Sequence, residues 1–449
     1  MRQQRPGGPL VRGIWALLAA STLAGPGSRV SAQAPDPPHT PSTPGATPEQ
    51  VSLANNWPDL EELLHLPAWM QLELSVTAEP LFNPLGGERF SGSWIQQGTL
   101  NLELSSGLSR PSASWKELDH WRLSATVNHD AGNAYYNSAI GALYPLQQVA
   151  YPAGFYLSEV SIERQRGDGW LNVKAGILPI NPDFVEVPVL GNYVHSALNN
   201  TLNITVVDLP INPYAALGAV VSAHPSPELS VRYGLFDLSS TESLSRWLGL
   251  PDGSVGPNSG IAQFLQLDLA PSAMHTQPLQ ACRTTKGIVH RRHTGAGCAV
   301  PVSVQNQLPN GLLSLGGFLT SENGNGVYGS LTLPSGLPLG LDSRVWIGGS
   351  YSPNSDVDVS PTFVGGGLVI QGALADRPLD LVLLGIGRGG LSNQLSDSAY
   401  EGMVELGYRM QINESLNVQP TLQWIFNPSG AGSPVPGILA AGVHISVAF

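Results

Sequence analysis

Charge is scarce in this chain. Asp, Glu, Lys and Arg make up 12% of its 449 residues, about half of the roughly 25% usual in soluble domains. Long apolar runs are also missing: beyond the first thirty-odd residues, no stretch reaches the roughly 18 apolar residues that a spanning helix needs. With 51 Gly and 38 Pro, long helices of any kind find little support. Basic clusters are few and the formal net charge is -12, which argues against nucleic acid as a partner. G-x-S-x-G, H-E-x-x-H, Walker-type and dinucleotide-binding motifs are all absent. No catalytic residue, metal or cofactor is therefore expected, although a Ser/His pair assembled from distant strands would leave no trace in sequence.

What remains is alternation. In the last segment Leu439, Ala441, Val443, Ile445, Val447 and Phe449 share one face, and Gly442, His444, Ser446 and Ala448 share the other. Period two means a strand, and an apolar face opposed to a small polar face suits a transmembrane barrel with a wet lumen. Sixteen segments qualify, from Met70–Glu79 through Phe155–Gln165 and Trp170–Leu178 to Tyr400–Met410, Leu416–Phe426 and Ile438–Phe449. The expected fold is all-β: a transmembrane antiparallel barrel of about sixteen strands over residues 69–449, an even count wide enough for an aqueous channel.

Before it, Met1–Ala32 reads as a cleaved export signal. Arg2, Arg5 and Arg12 form the basic region, Ile14–Leu23 the apolar core and Val30–Ala32 the small-residue site, with cleavage after Ala32 or Ala34. Its removal takes four arginines and no acid, so -12 becomes -16. Residues 33–50 read as a Pro-rich linker. Residues 51–68 read as a periplasmic lead-in, with a short helix over Asn56–Leu64 capped by Asn56.

With both barrel ends periplasmic, the short connections at 166–169, 225–227, 374–378 and 411–415 fall inside and the long ones at 130–154, 179–214 and 238–260 fall outside. Ala270–Gly311 breaks the rule, being the longest yet periplasmic. Either it is a true excursion or one strand is miscounted, at Ala299–Val304 or Leu202–Val207. It carries Cys282 and Cys298, whose disulfide would close 17 residues inclusively, worth roughly 3 kcal/mol. A zinc site with His290 and His293 is the alternative, but the spacing matches no common finger.

Parity turns Arg122, Asn128, Glu159, Glu163, Lys174, Arg232, Asp268, Arg344, Glu405, Arg409, Gln419 and Gln423 toward the lumen as candidate pore-lining residues. If Arg166–Gly169 is the whole turn, Glu163 sits opposite Asn172 and Ser161 opposite Lys174. Such a polar wall of mixed sign suits neutral, hydroxyl-rich solutes, whereas one sign alone would select ions.

Three stretches resemble the carbohydrate-selective outer-membrane porins of the OprB type. They are F-Y-L-S-E-V-S-I-E-R-Q leading to A-G-I-L-P-I-N-P-D-F (Phe155–Phe184), the hairpin within Pro210–Asp237, and the closing E-L-G-Y (Glu405–Tyr408) with Q-P-T-L-Q-W-I-F-N-P (Gln419–Pro428). The resemblance spans roughly Val51–Phe449. It implies a sixteen-stranded barrel for passive, sugar-preferring diffusion, with sugars as solutes, outer-membrane lipid as surroundings and the barrel assembly machinery reading terminal Phe449. The Pro-rich lead and the basic Cys282–Cys298 loop depart from the family pattern. A homo-oligomer is compatible, trimers being common among porins. The alternatives are a general or cation-preferring porin and an outer-membrane barrel enzyme or adhesin.

Overall fold

The computed structural model describes residues 50–51 and 60–449, apart from 68, 107–119, 167–168, 200–208, 241–259, 276–279, 285–286, 292–300, 303–305, 307, 322–323, 336–340, 354–357, 375–376, 378, 394–398, 414 and 431–433. All of these belong to the compact unit Pro48–Phe449. The leader and linker, residues 1–49, lie outside the described residues.

A helix α1 (Leu60–Leu64) leads into the barrel; residues 56–59 of the expected helix lie outside the described residues. The barrel strands are β1 (Met70–Ala78, continued by Leu81–Leu85), β2 (Ser91–Ser93, continued by Ile95–Ser105), β3 (His120–Gly132), β4 (Gly154–Gln165), β5 (Leu171–Leu178), β6 (Ala216–Ser226), β7 (Leu229–Asp237) and β8 (Ile261–Leu269). There follow β9 (Leu312–Thr320), β10 (Gly326–Pro334), β11 (Asp342–Tyr351), β12 (Thr362–Gln371), β13 (Leu381–Gly390), β14 (Tyr400–Gln411), β15 (Leu416–Phe426) and β16 (Ile438–Ala448). Neighbours pair antiparallel and β16 returns to β1, so the sheet closes with sixteen strands. Two strands are interrupted: Pro80, which has no N–H for the ladder, breaks β1, and Trp94 breaks β2. Closure needs no free edge, and Phe449 and Leu74 exchange backbone hydrogen bonds at the seam.

The expected parity holds around the wall. Leu123, Val160, Ile162, Val173, Leu265, Ile347, Ile386 and Leu422 are exposed on the outside, as a lipid-facing surface requires. Trp69, Trp121 and Trp170 are exposed at the end carrying both barrel termini, and Trp94, Tyr351 and Trp424 at the opposite end, which places aromatic rings at both interfaces. Towards these ends Arg164 lies over Trp121, Arg166 over Trp170 and Arg388 over Tyr400.

Two details correct the sequence reading. Arg166 N–H donates to Leu171 O, and Gly169 turns with φ 73°, so the turn closes one position later than expected and the register shifts by two. Glu163 therefore faces Lys174, Gln165 faces Asn172, and Ser161 faces Gly176. A shift of two leaves every side chain on its expected face. In β4 a bulge at Ser158 changes the phase, since Thr126 pairs with Glu159 but Val127 with Leu157. Tyr156 and Ser158 therefore join the inward set above Glu159, Ser161 and Glu163.

The long connection is an excursion, not a missing strand. β8 pairs directly with β9, and Pro301–Val302 pairs with Gln280–Thr284 in a separate four-stranded sheet that also holds Gly287–Arg291 and Gln50–Val51. Leu202–Val207, His293 and Cys298 lie outside the described residues, as does the side chain of Cys282.

Candidate functional site

The inner surface divides into two sectors. On the first, β1 to β5, a cavity of about 350 Å³ is lined by Glu73 and Ser75, by Thr99, Asn101 and Glu103, by Arg122, Ser124 and Thr126, by Glu159 and Glu163, and by Lys174. Each cation there sits between two carboxylates. Arg122 reaches Glu103 at 3.3 Å and Glu163 at 3.4 Å. Lys174 reaches Glu159 at 3.1 Å and Asp183 at 3.3 Å. Arg232 continues the chain of contacts, donating to the Asp183 carbonyl and pairing with Asp268, which also accepts from Gln266 and Ser314. Glu73 has no ion-pair partner among the described residues. Four carboxylates against two cations leave the cavity lining with a formal charge of -2.

The Lys174 side chain is only 13% exposed, whereas the Arg122 pairs are partly wet, the Arg122 side chain being 47% exposed. Ion pairs of that kind contribute only about 0–1 kcal/mol. They exchange readily with another hydrogen-bonding partner, and between them they present both donors and acceptors. Among the neutral residues, Thr99 donates to Asn128 and Thr126 to Asn101.

The second sector, β11 to β16, is covered. Two connections that leave the barrel at the end opposite its termini fold back inside over their described residues, 133–153 in the first and 179–199 with 209–215 in the second. The first carries helix α2 (Tyr136–Ile140) and the second two short 3-10 turns, Pro188–Asn192 and Ser196–Leu198. Glycine on the inner face makes room for them. A Cβ at Gly367 would lie 2.5 Å from the Tyr193 hydroxyl, and one at Gly385 would lie 2.7 Å from the Tyr193 ring. Tyr193 donates to Leu384 O and receives the Trp346 indole N–H. Around it Val189, Leu190, Leu198, Val369, Leu383 and Met403 form part of an apolar core inside the lumen. Buried His195 accepts the Ala197 N–H at Nδ1, and burial pushes its pKa down to about 3, so the ring is neutral.

The polar residues of this sector bind the loops. Glu405 is fully buried and accepts the N–H groups of Val194 at 2.9 Å and His195 at 2.8 Å. Gln419 donates to Asn192 O, Gln423 to Leu146 O, and Arg409 to Gly191 O. On β3 of the first sector, fully buried Asn128 likewise donates to Ser158 and to Asn212 of the second loop. Arg344 is 1% exposed and binds Asp342 and Pro309 O. Pro309 belongs to the returning arm of the long connection, which reaches in from the other end. There Asn306 binds Leu379 O, Arg409 O, Gln371 and Gln411.

Of the twelve candidates, Arg122, Glu159, Glu163 and Lys174 border the open cavity, and Arg232 with Asp268 flanks it. Sequence reasoning passed over Glu73, Glu103 and Asp183. The parity rule applied to β1 and β2 would have found the first two; Asp183 sits on an inward loop and gives no periodic signal. His444 was read as lumen polarity, yet it is buried and binds Glu79 at 2.8 Å across the seam.

A closed antiparallel barrel with a wide, polar and partly open interior defines a porin. The sequence profile of the carbohydrate-selective porin family OprB matches residues 112–338 and 341–449, and the chain belongs to that family. By family and fold it is an outer-membrane channel protein. Among solved structures it is similar to Pseudomonas putida OprB at high pH, with TM-score 0.67 and 17% identity over 86% of this chain and 96% of that one. The low-pH structure of the same porin gives 0.51 and 15% over 89% and 100%. At these identities the likeness establishes the fold. No curated protein sequence matches the chain.

Proposed function

We propose that the chain lets neutral mono- and oligosaccharides diffuse down their gradient along the β1–β5 wall, without covalent chemistry or energy coupling. The observation that carries this reading is the pair of carboxylate–cation–carboxylate groups, Glu103–Arg122–Glu163 and Glu159–Lys174–Asp183, the first bordering the open cavity of the β1–β5 wall and the second completed by Asp183 from an inward loop. Such groups trade one hydrogen bond for another as a hydroxylated solute moves past. Binding stays weak, as conduction requires.

The test is swelling of liposomes holding the purified protein, with sugars of graded size. Glucose-sized solutes enter, and Arg122→Ala or Glu159→Ala changes their rate by about twofold or more while the barrel stays folded. Absence of swelling with glucose beside a large selective ion current would replace this reading with an ion channel. The excess of carboxylates favours a second, coexisting property: small cations pass more readily than anions, giving a reversal potential of matching sign in a salt gradient.

The remaining assignments follow from the same reading. Met1–Ala32 is the export signal, 33–50 the linker, 51–68 the lead-in and 69–449 the channel. The end carrying the barrel termini is periplasmic, Phe449 is the assembly signal, and Cys282 and Cys298 close the long connection there as a disulfide. A homo-oligomer is compatible with the apolar outer wall.

A further inference from the structure

Glu401 and Glu405 face inward on β14 on either side of inward Met403, and neither is exposed. Each accepts two adjacent backbone N–H groups from a different inward loop. Glu401 takes Leu143 at 2.8 Å and Tyr144 at 3.0 Å, and also the N–H of Ser429 at 2.7 Å. Glu405 takes Val194 and His195. The loops then brace one another, since Ser196 donates twice to Pro145 O and Asn199 donates to Gln148.

We infer that these two carboxylates are positioning residues that set the size limit of the channel. A solute never touches them; they act through residues 143–150 and 193–199, whose bulk fills one side of the lumen. The argument is geometric. A barrel of sixteen strands leaves an aqueous channel when its interior is empty. Here an open cavity lies on the β1–β5 side, while residues 143–150 and 193–199, which contribute no barrel strand, occupy the lumen against the other side. Two adjacent N–H groups need a two-oxygen acceptor, which a carboxylate supplies and an amide matches only by half. Wall glycines bring the backbone close, but apolar contact is not directional, so the carboxylates fix which loop residue sits where.

The inference rests on the diffusion reading only in needing a passage to widen, and salt conductance reads it without any sugar. The test compares wild type, Glu405→Ala, the double variant Glu401→Ala/Glu405→Ala, Glu405→Gln and Tyr193→Ala, all reconstituted in planar bilayers and liposomes. Heat-modifiable migration on gels checks that each barrel is closed. The double variant is expected to raise single-channel conductance about twofold or more and to admit sugars above the wild-type cut-off. Glu405→Gln keeps one acceptor and falls between wild type and Glu405→Ala, an ordering that general destabilisation would not produce. Tyr193→Ala lies on the loop, leaves every barrel strand intact and shifts conductance the same way, so it decides the matter if the β14 variants fail to close. A closed barrel with unchanged conductance and cut-off in Tyr193→Ala and in any β14 variant that closes overturns the inference. If glucose fails to enter with wild type while conductance still follows this order, the sugar reading fails and the positioning role stands.

Discussion

Glu163 and Glu405 are both inward glutamates on barrel strands, yet they live in different solvents. Glu163 is on a bare wall, shares Arg122 with Glu103 and keeps part of its side chain in water. Glu405 is sealed under a loop and holds two of its N–H groups. The difference between the sectors is cover, not composition. Where nothing lies over the wall, polar groups pair weakly with one another and remain available to a solute. Where a loop lies over it, the same kinds of group must satisfy buried backbone, because an unpaired buried amide or carbonyl is costly. One barrel thus uses inward polarity for passage on one side and for fastening on the other.

The largest effect that would break this comparison is on stability. Trp346 is 2% exposed and bonded to Tyr193 on the covered side. Trp346→Ala is expected to cost about 3–5 kcal/mol in urea unfolding from lipid vesicles. Glu163→Ala on the bare side should stay within about 1 kcal/mol. Equal losses in the two would erase the distinction.

Next in size is selectivity. Glu73→Lys moves the cavity lining from -2 to 0, and its cation preference in a salt gradient is expected to fall by about twofold or more. A reversal potential that does not move would mean that ions run elsewhere than along the bare wall.

The smallest is a pH effect that sharpens the role of the loop. His195 is neutral when docked, with its pKa lowered by burial from 6.5 to about 3. A released loop takes up a proton below pH 6.5, whereas the docked one does not. Docking is therefore complete above pH 6.5 and weakens as pH falls toward 3. Conductance is expected to rise over that window, and His195→Asn, which keeps an acceptor for the Ala197 N–H, should flatten the part due to this ring. An identical profile in the variant would assign the effect to the carboxylates.

Much of this architecture was legible in the residues. Alternation in Trp121–Val127, Trp170–Leu178 and Leu439–Phe449 identified strands, faces and closure, because period two is a local property of a pleated backbone. The Glu163–Lys174 register was missed by two residues, since the position of the turn around Gly169 depends on backbone conformation that residue types only bias. The inward loops were invisible for a further reason: Glu405, Gln419 and Gln423 read the same whether water or chain lies over them. One signal did separate the sectors. Gly365, Gly367, Gly385, Gly387 and Gly389 occupy inward positions on two adjacent strands, where a wall open to water has no need to remove side chains.

The fastening of the loops also fixes an order of events. Leu143 and Tyr144 meet Glu401 across 258 and 257 residues of chain, and Val194 and His195 meet Glu405 across 211 and 210. Contacts of such long sequence separation form late and slowly. Both loops lack their partners until the last quarter of the chain is in place, so the narrow passage exists only in the closed barrel. An interrupted assembly would therefore be a leakier object than the finished one, and the final strands decide the width of a channel whose path they do not line.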